Sequence, residues 1–129
     1  MSTNSGKLLF WAPRVLSILF IAFLSMFALD VFGEHLGFWP TTFALAMHLI
    51  PSIVLLIVLL LAWRREWIGM VLYAAAALLY VAWAAFVPRP ISLSMRLTWM
   101  LAIAAPAIVI AILFLLNWRK HDQLRTLLN

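Results

Sequence analysis

The chain contains no cysteine and, among 129 residues, only four acidic side chains and four glycines. Without a thiol there is no disulfide, no cysteine-ligated iron–sulfur cluster and no thiol nucleophile, and the redox compartment stays open. Charged side chains make up 10% of the chain, against about 25% in a soluble domain whose surface must face water. Polar side chain is too scarce to coat such a surface. No glycine-rich phosphate loop and no HExxH spacing occurs, and Ser17, Ser25, Ser52, Ser92 and Ser94 stand in no elbow or triad context. The sequence therefore leads us to expect neither an enzyme nor a resident cofactor or metal.

What the chain has in abundance is apolar side chain, 67% of its residues, arranged in long runs broken by short polar clusters. A hydrocarbon core needs roughly 20 apolar residues to be crossed by a helix. Four segments reach that length: about 11–32, 42–63, 67–87 and 97–118. Gly33, Gly37 and Pro40 punctuate the first connection, Arg64-Arg65-Glu66 forms a very tight second, and Pro88-Arg89-Pro90 opens the third. Short connections force neighbouring spans to run antiparallel. The expected fold is all-α: a single domain over 1–129, an antiparallel four-transmembrane-helix bundle, with a short amphipathic extension at 119–129. Arg14, near the start of the first span, has a stem long enough to snorkel to the headgroups.

Cation placement predicts the orientation. With both termini inside, Lys7, Arg14, Arg64, Arg65, Arg119, Lys120 and Arg125 are internal and only Arg89 and Arg96 external, seven of the nine against two. An N-in, C-in multi-pass protein follows. Trp11, Trp63, Trp67 and Trp118 then mark the inner interface, and Trp39, Trp83 and Trp99 lie toward the outer one, the depth an amphipathic indole prefers. The net charge of +5 forms no groove-sized patch for nucleic acid; cations at helix ends suit anionic lipid. A cleaved signal peptide is the competing account of the N-terminus. The run from Val15 to Leu29 ends without a small-x-small site, so the first helix is expected to be retained.

The stretch LDVFGEHLGFW at 29–39 holds two of the four acids and one of the three histidines, with no cation. Few cations outside help the first hairpin cross; two carboxylates are not required for that. At 1.5 Å per residue, His48 lies about 10 Å below the start of the second helix, and Tyr80 the same distance below the end of the third. These two can meet at one level. The outer half thus gathers a candidate polar cluster of Asp30, Glu34, His48, Tyr80, Arg89 and Arg96, with His35 and Thr98 close by. Asp30 is expected to pair with Arg96 or Arg89. His48 precedes Pro51, which cannot donate a backbone hydrogen bond into that turn, so its imidazole is expected to bond a nearby carbonyl or Tyr80, or to serve a site. Metal ligation by Asp30, Glu34, His35 and His48 has little support from their spacing. Bis-histidine haem lacks a second imidazole at matching depth.

The third helix carries a packing pattern: Gly69, Tyr73, Ala76, Tyr80 and Ala84 recur at three- and four-residue steps. In lipid, where helices associate by close backbone approach and interhelical hydrogen bonds, such a stripe should face the bundle. Ala102, Ala105 and Pro106 suggest a second close approach on the fourth helix.

Taken together, LDVF at 29–32, MHLIP at 47–51 and AWRREWIG at 62–69 resemble a group of small, uncharacterised four-helix membrane proteins of bacteria and archaea. The resemblance covers the first three helices well and the fourth poorly. It implies a bacterial cytoplasmic membrane and brings no activity with it. Small multidrug exporters are alike in length and helix number but depend on a membrane-buried glutamate in the first helix, where 15–29 here has no acid. The favoured expectation is a small integral membrane protein acting through protein contacts, as an accessory or assembly subunit or a homo-oligomer, with membrane lipids as its surroundings. The alternative is a transporter, channel or small-ligand binder using the outer cluster around His48.

Overall fold

The computed structural model describes the backbone of residues 3–128 and the side chains of 4–122. It is all-helical. α1 (Thr3–Met26) tightens into a 3₁₀ stretch (Phe27–Glu34); α2 spans Phe38–Arg64 and α3 Glu66–Phe86; α4 (Leu93–Trp99) passes through one π-helical turn (Met100–Ala104) into α5 (Ala105–Leu128). Four stretches, Asn4–Glu34, Phe38–Arg64, Glu66–Phe86 and Leu93–Asp122, are long and apolar enough to cross a membrane.

The spans start earlier than hydropathy suggests. α1 takes in the polar residues Asn4, Ser5 and Lys7, where apolar counting stops at Trp11. The last span begins at Leu93 because the Ser92 hydroxyl accepts from the Met95 amide at 3.3 Å, an N-cap. The first connection turns on two left-handed residues, His35 (φ 49°) and Gly37 (φ 88°). Glycine takes such a φ without steric cost. The segment 119–128 continues α5 as helix; the side chains of 123–129, including Arg125, lie outside those described.

Packing closes a ring. α1 lies against α2 and α5, and α3 against α2 and α5, while the backbones of the diagonal pairs stay apart among the described residues. Arg14 of α1 reaches the end of α2 and the start of α3, and Glu66 of α3 reaches the end of α5, so neighbours run antiparallel. The core is built on the α3–α5 seam. Gly69 lies so close to its neighbours that an added Cβ would stand 2.7 Å from the Phe114 ring and 2.8 Å from the Ala62 methyl. Tyr73 stacks on Phe114 at 6.0 Å between ring centres, both rings fully buried. Large apolar side chains around the periphery, such as Leu60, Leu78, Leu79 and Phe86, are exposed.

Candidate functional site

Two polar features stand at opposite ends of the bundle. At the end holding the termini, Arg14 has 0% of its side chain exposed. It does not snorkel. Its Nη1 donates to the Phe10 carbonyl, and its Nη2 donates to the Trp63 carbonyl at 3.2 Å and to Glu66 Oε1 at 3.5 Å. The guanidinium lies 3.6 Å from the Phe10 ring centre, 5.3 Å from Trp63 and 6.0 Å from Phe114, an aromatic cage whose faces attract a cation. Glu66 Oε1 also accepts from Asn117 Nδ2 at 3.5 Å and lies 3.0 Å from His121 Nδ1.

This cluster joins all four spans around one carboxylate. Glu66 sits in the first turn of α3, where the helix dipole favours an anion. Sequence reading missed the cluster, assigning Arg14 to the headgroups and Glu66 to a charged turn. The available signal was that Arg14, Glu66, Asn117 and His121 all fall at the same end of an up-down bundle. A buried ion pair of this kind contributes little net stability beside an apolar packing, but losing one partner leaves a charge stranded.

At the other end, the expected polar cluster is dispersed. Asp30, Glu34 and Arg89 are exposed, and among the described residues no group of three or more His, Asp or Glu side chains could hold a metal. Asp30 forms no ion pair with Arg96 or Arg89. Arg96 instead folds back over the end of α3: Nη1 donates to the Ala84 and Ala85 carbonyls at 2.6 and 3.0 Å, and Nη2 to those of Val87 and Arg89, both at 3.1 Å. The last turn of a helix leaves carbonyls without amide partners, and these acceptors, twelve residues or fewer from Arg96 along the chain, outcompete a carboxylate on another span for its guanidinium. Arg96 is a cap.

His48 and Tyr80 do share a place. Both line a cavity of about 830 Å³ in the half of the bundle away from the termini, walled by α1, the 3₁₀ stretch after it, α2, α3 and the last span from α4 through the π turn to α5. They make no hydrogen bond to each other. His48 Nδ1 lies 2.8 Å from the Ala44 carbonyl one turn back on its own helix, and the Tyr80 hydroxyl has no partner among the described residues. The rest of the wall is apolar or aromatic, including Phe20, Leu24, Met47, Leu55, Trp83 and Trp99. Trp83 and Trp99 stack with centres 6.3 Å apart at 15°, and Tyr80 lies 5.6 Å from Trp83.

Backbone irregularities surround this cavity. Pro51 of α2 lines it and removes a donor from the turn that carries Met47 and His48. On the facing span, Ala105 N–H reaches back to the Met100 carbonyl, one residue further than in an α-helix. That widened turn sits just before Pro106 and carries Ala102 and Ile103 into the wall. Single π turns within α-helices are frequent at functional sites.

The stripe on α3 divides between core and cavity. Gly69, Tyr73 and Ala84 are buried, Ala77 is buried in the place expected for Ala76, and Ala76 and Tyr80 are half-buried and face the cavity. On the last span Ala104 and Ala107 take the buried positions, while Ala105 and Pro106 are half-buried.

A family defined by a domain of unknown function, DUF7670, matches residues 1–126. The chain belongs to that family. No curated protein and no solved structure matches it. The DUF7670 assignment covers all four spans, the Arg14–Glu66 cluster and the cavity together, so neither feature is an appendage to a smaller domain.

Proposed function

We propose that this protein is a small multi-pass protein of a bacterial cytoplasmic membrane, with both termini inside, that binds an apolar small molecule in the outer half of its bundle. The single observation that carries this reading is the cavity of about 830 Å³ whose wall combines apolar side chains with two protic groups, His48 and Tyr80. Ligand sites are commonly concave, several hundred Å³ in size, mainly apolar, and furnished with a few polar groups that fix orientation. The cation distribution and the indoles at both ends support the orientation. No reaction is part of this reading.

The protein-contact reading, an accessory subunit or homo-oligomer, draws on short polar connections and an apolar periphery. A third-helix stripe left open to lipid would have strengthened it, because small residues gain little from acyl chains. Phe114 of α5 lies against Gly69 and Tyr73, and Ala84 is buried within the single chain, so that face makes no demand for a partner.

Photocrosslinking in intact cells tests the ligand reading. With benzoylphenylalanine at Met47, which lines the cavity, adducts of a molecule other than bulk phospholipid are expected. With the same probe at Leu60, on the exposed periphery of α2, phospholipid adducts alone are expected. Identical phospholipid adducts at both positions would overturn it.

A further inference from the structure

The ligand's chemical class rests on the cavity being a ligand site, and the two protic groups narrow it. A backbone carbonyl can only accept a hydrogen bond, so the contact from His48 Nδ1 to Ala44 O at 2.8 Å requires the proton to sit on Nδ1. In that tautomer Nε2 is a lone-pair acceptor. The Tyr80 hydroxyl, partnerless among the described residues, can both donate and accept. Beside it the stacked indoles of Trp83 and Trp99 supply flat aromatic surface. Phe20, Leu24 and Ile103 continue the wall with apolar side chains alone.

A saturated acyl chain uses none of the polar or aromatic features. A carbonyl-only ligand satisfies Tyr80 but has no proton for His48. A planar ring that carries hydroxyls, attached to an apolar tail, satisfies all of them. We propose that the cavity binds a lipid-soluble hydroquinone: one hydroxyl donates to His48 Nε2, Tyr80 serves as the second hydrogen-bonding partner, the ring lies by the Trp83–Trp99 pair, and the tail runs along the apolar wall. Binding selects the hydroquinone over its quinone, because only the reduced ring carries an O–H to give.

The test uses the full chain in phosphatidylcholine nanodiscs, under anaerobic conditions, with tritiated decylhydroquinone as the probe. Saturable binding is expected. The dimethyl ether, which keeps ring and tail but has no O–H, should bind at least about tenfold more weakly, the factor that one lost hydrogen bond corresponds to. His48→Phe, which keeps an aromatic side chain and removes the acceptor, should abolish the preference for hydroquinone over ether. Tyr80→Phe, a milder change, should weaken the hydroquinone by a few-fold. If ether and hydroquinone bind the wild-type chain equally, the hydroquinone proposal is wrong, and that comparison needs no variant to fold. In that case apolar adducts at Met47 would leave the ligand site standing. Phospholipid alone at Met47, with no saturable binding of either probe, would end both.

Discussion

Gly69→Ala adds one methyl group at the tightest approach in the bundle. The new Cβ would stand 2.7 and 2.8 Å from two atoms of the Phe114 ring and 2.8 Å from the Ala62 Cβ, well inside the roughly 3.5–4.0 Å at which carbon atoms attract. Neither neighbour can yield. Ala62 and Phe114 are both fully buried, Phe114 is stacked against the buried Tyr73, and its ring also flanks the Arg14 guanidinium. Overpacking of this sort costs about 1–3 kcal/mol, and blockage on two sides places it toward the upper end. Replacing a helical glycine by alanine returns up to about 1 kcal/mol. The net loss is about 1–2 kcal/mol, read by reversible unfolding in mixed micelles. Gly6→Ala is the internal control: its Cβ would meet only Lys120 Nζ at 3.7 Å, so it should be neutral or slightly stabilising. Phe114→Leu should show a favourable coupling with Gly69→Ala in a double-mutant cycle. If Gly69→Ala is as harmless as Gly6→Ala, the seam between α3 and α5 is not packed as described.

Other expectations concern the two ends of the bundle. Glu66→Gln strands the Arg14 charge and should cost about 3–5 kcal/mol, whereas the double replacement Arg14→Met with Glu66→Leu should recover most of that loss, both by denaturant titration. Arg96→Ala should release the end of α3 and raise amide hydrogen exchange around Val87, Arg89 and Ile91; Arg96→Lys should not restore protection, since a single ammonium cannot span four carbonyls. His48→Ala and Tyr80→Phe should be additive within about 0.5 kcal/mol in ligand-free protein, because His48 bonds the Ala44 carbonyl on its own helix and no hydrogen bond joins it to Tyr80. Coupling should appear once decylhydroquinone is bound.

The number of spans and their antiparallel order were legible because apolar runs of bilayer length leave few alternatives. The level shared by His48 and Tyr80 was legible too, since helical rise converts sequence distance into depth. Partner choice was not. Arg14 and Glu66 lie 52 residues apart, and a hydropathy reading treats each cation by its own depth. Only the ring order of the helices, which brings α1 near the first turn of α3 and the last turns of α5, reveals that Arg14 has a carboxylate and three aromatic faces within reach. Arg96 was sent toward Asp30 because opposite charges suggest a pair, but the open carbonyls at the end of α3 lie closer along the chain and bind the same donors. The π turn had only Pro106 to announce it, and the use of Ala77 in place of Ala76 came down to one residue of helix phase. The cavity lies beside the π turn and Pro51, so His48, Pro51, Tyr80, Trp83 and Trp99 were individually noticed without its shape being foreseen.

Native mass spectrometry of the protein released gently from the membrane in which it is made tests the central claim most directly. One non-phospholipid apolar molecule should travel with each chain and be lost from Ala102→Phe, which places a ring into the cavity from an accessible position on the π turn. A bare wild-type chain, or phospholipid alone on wild type and variant alike, would contradict it.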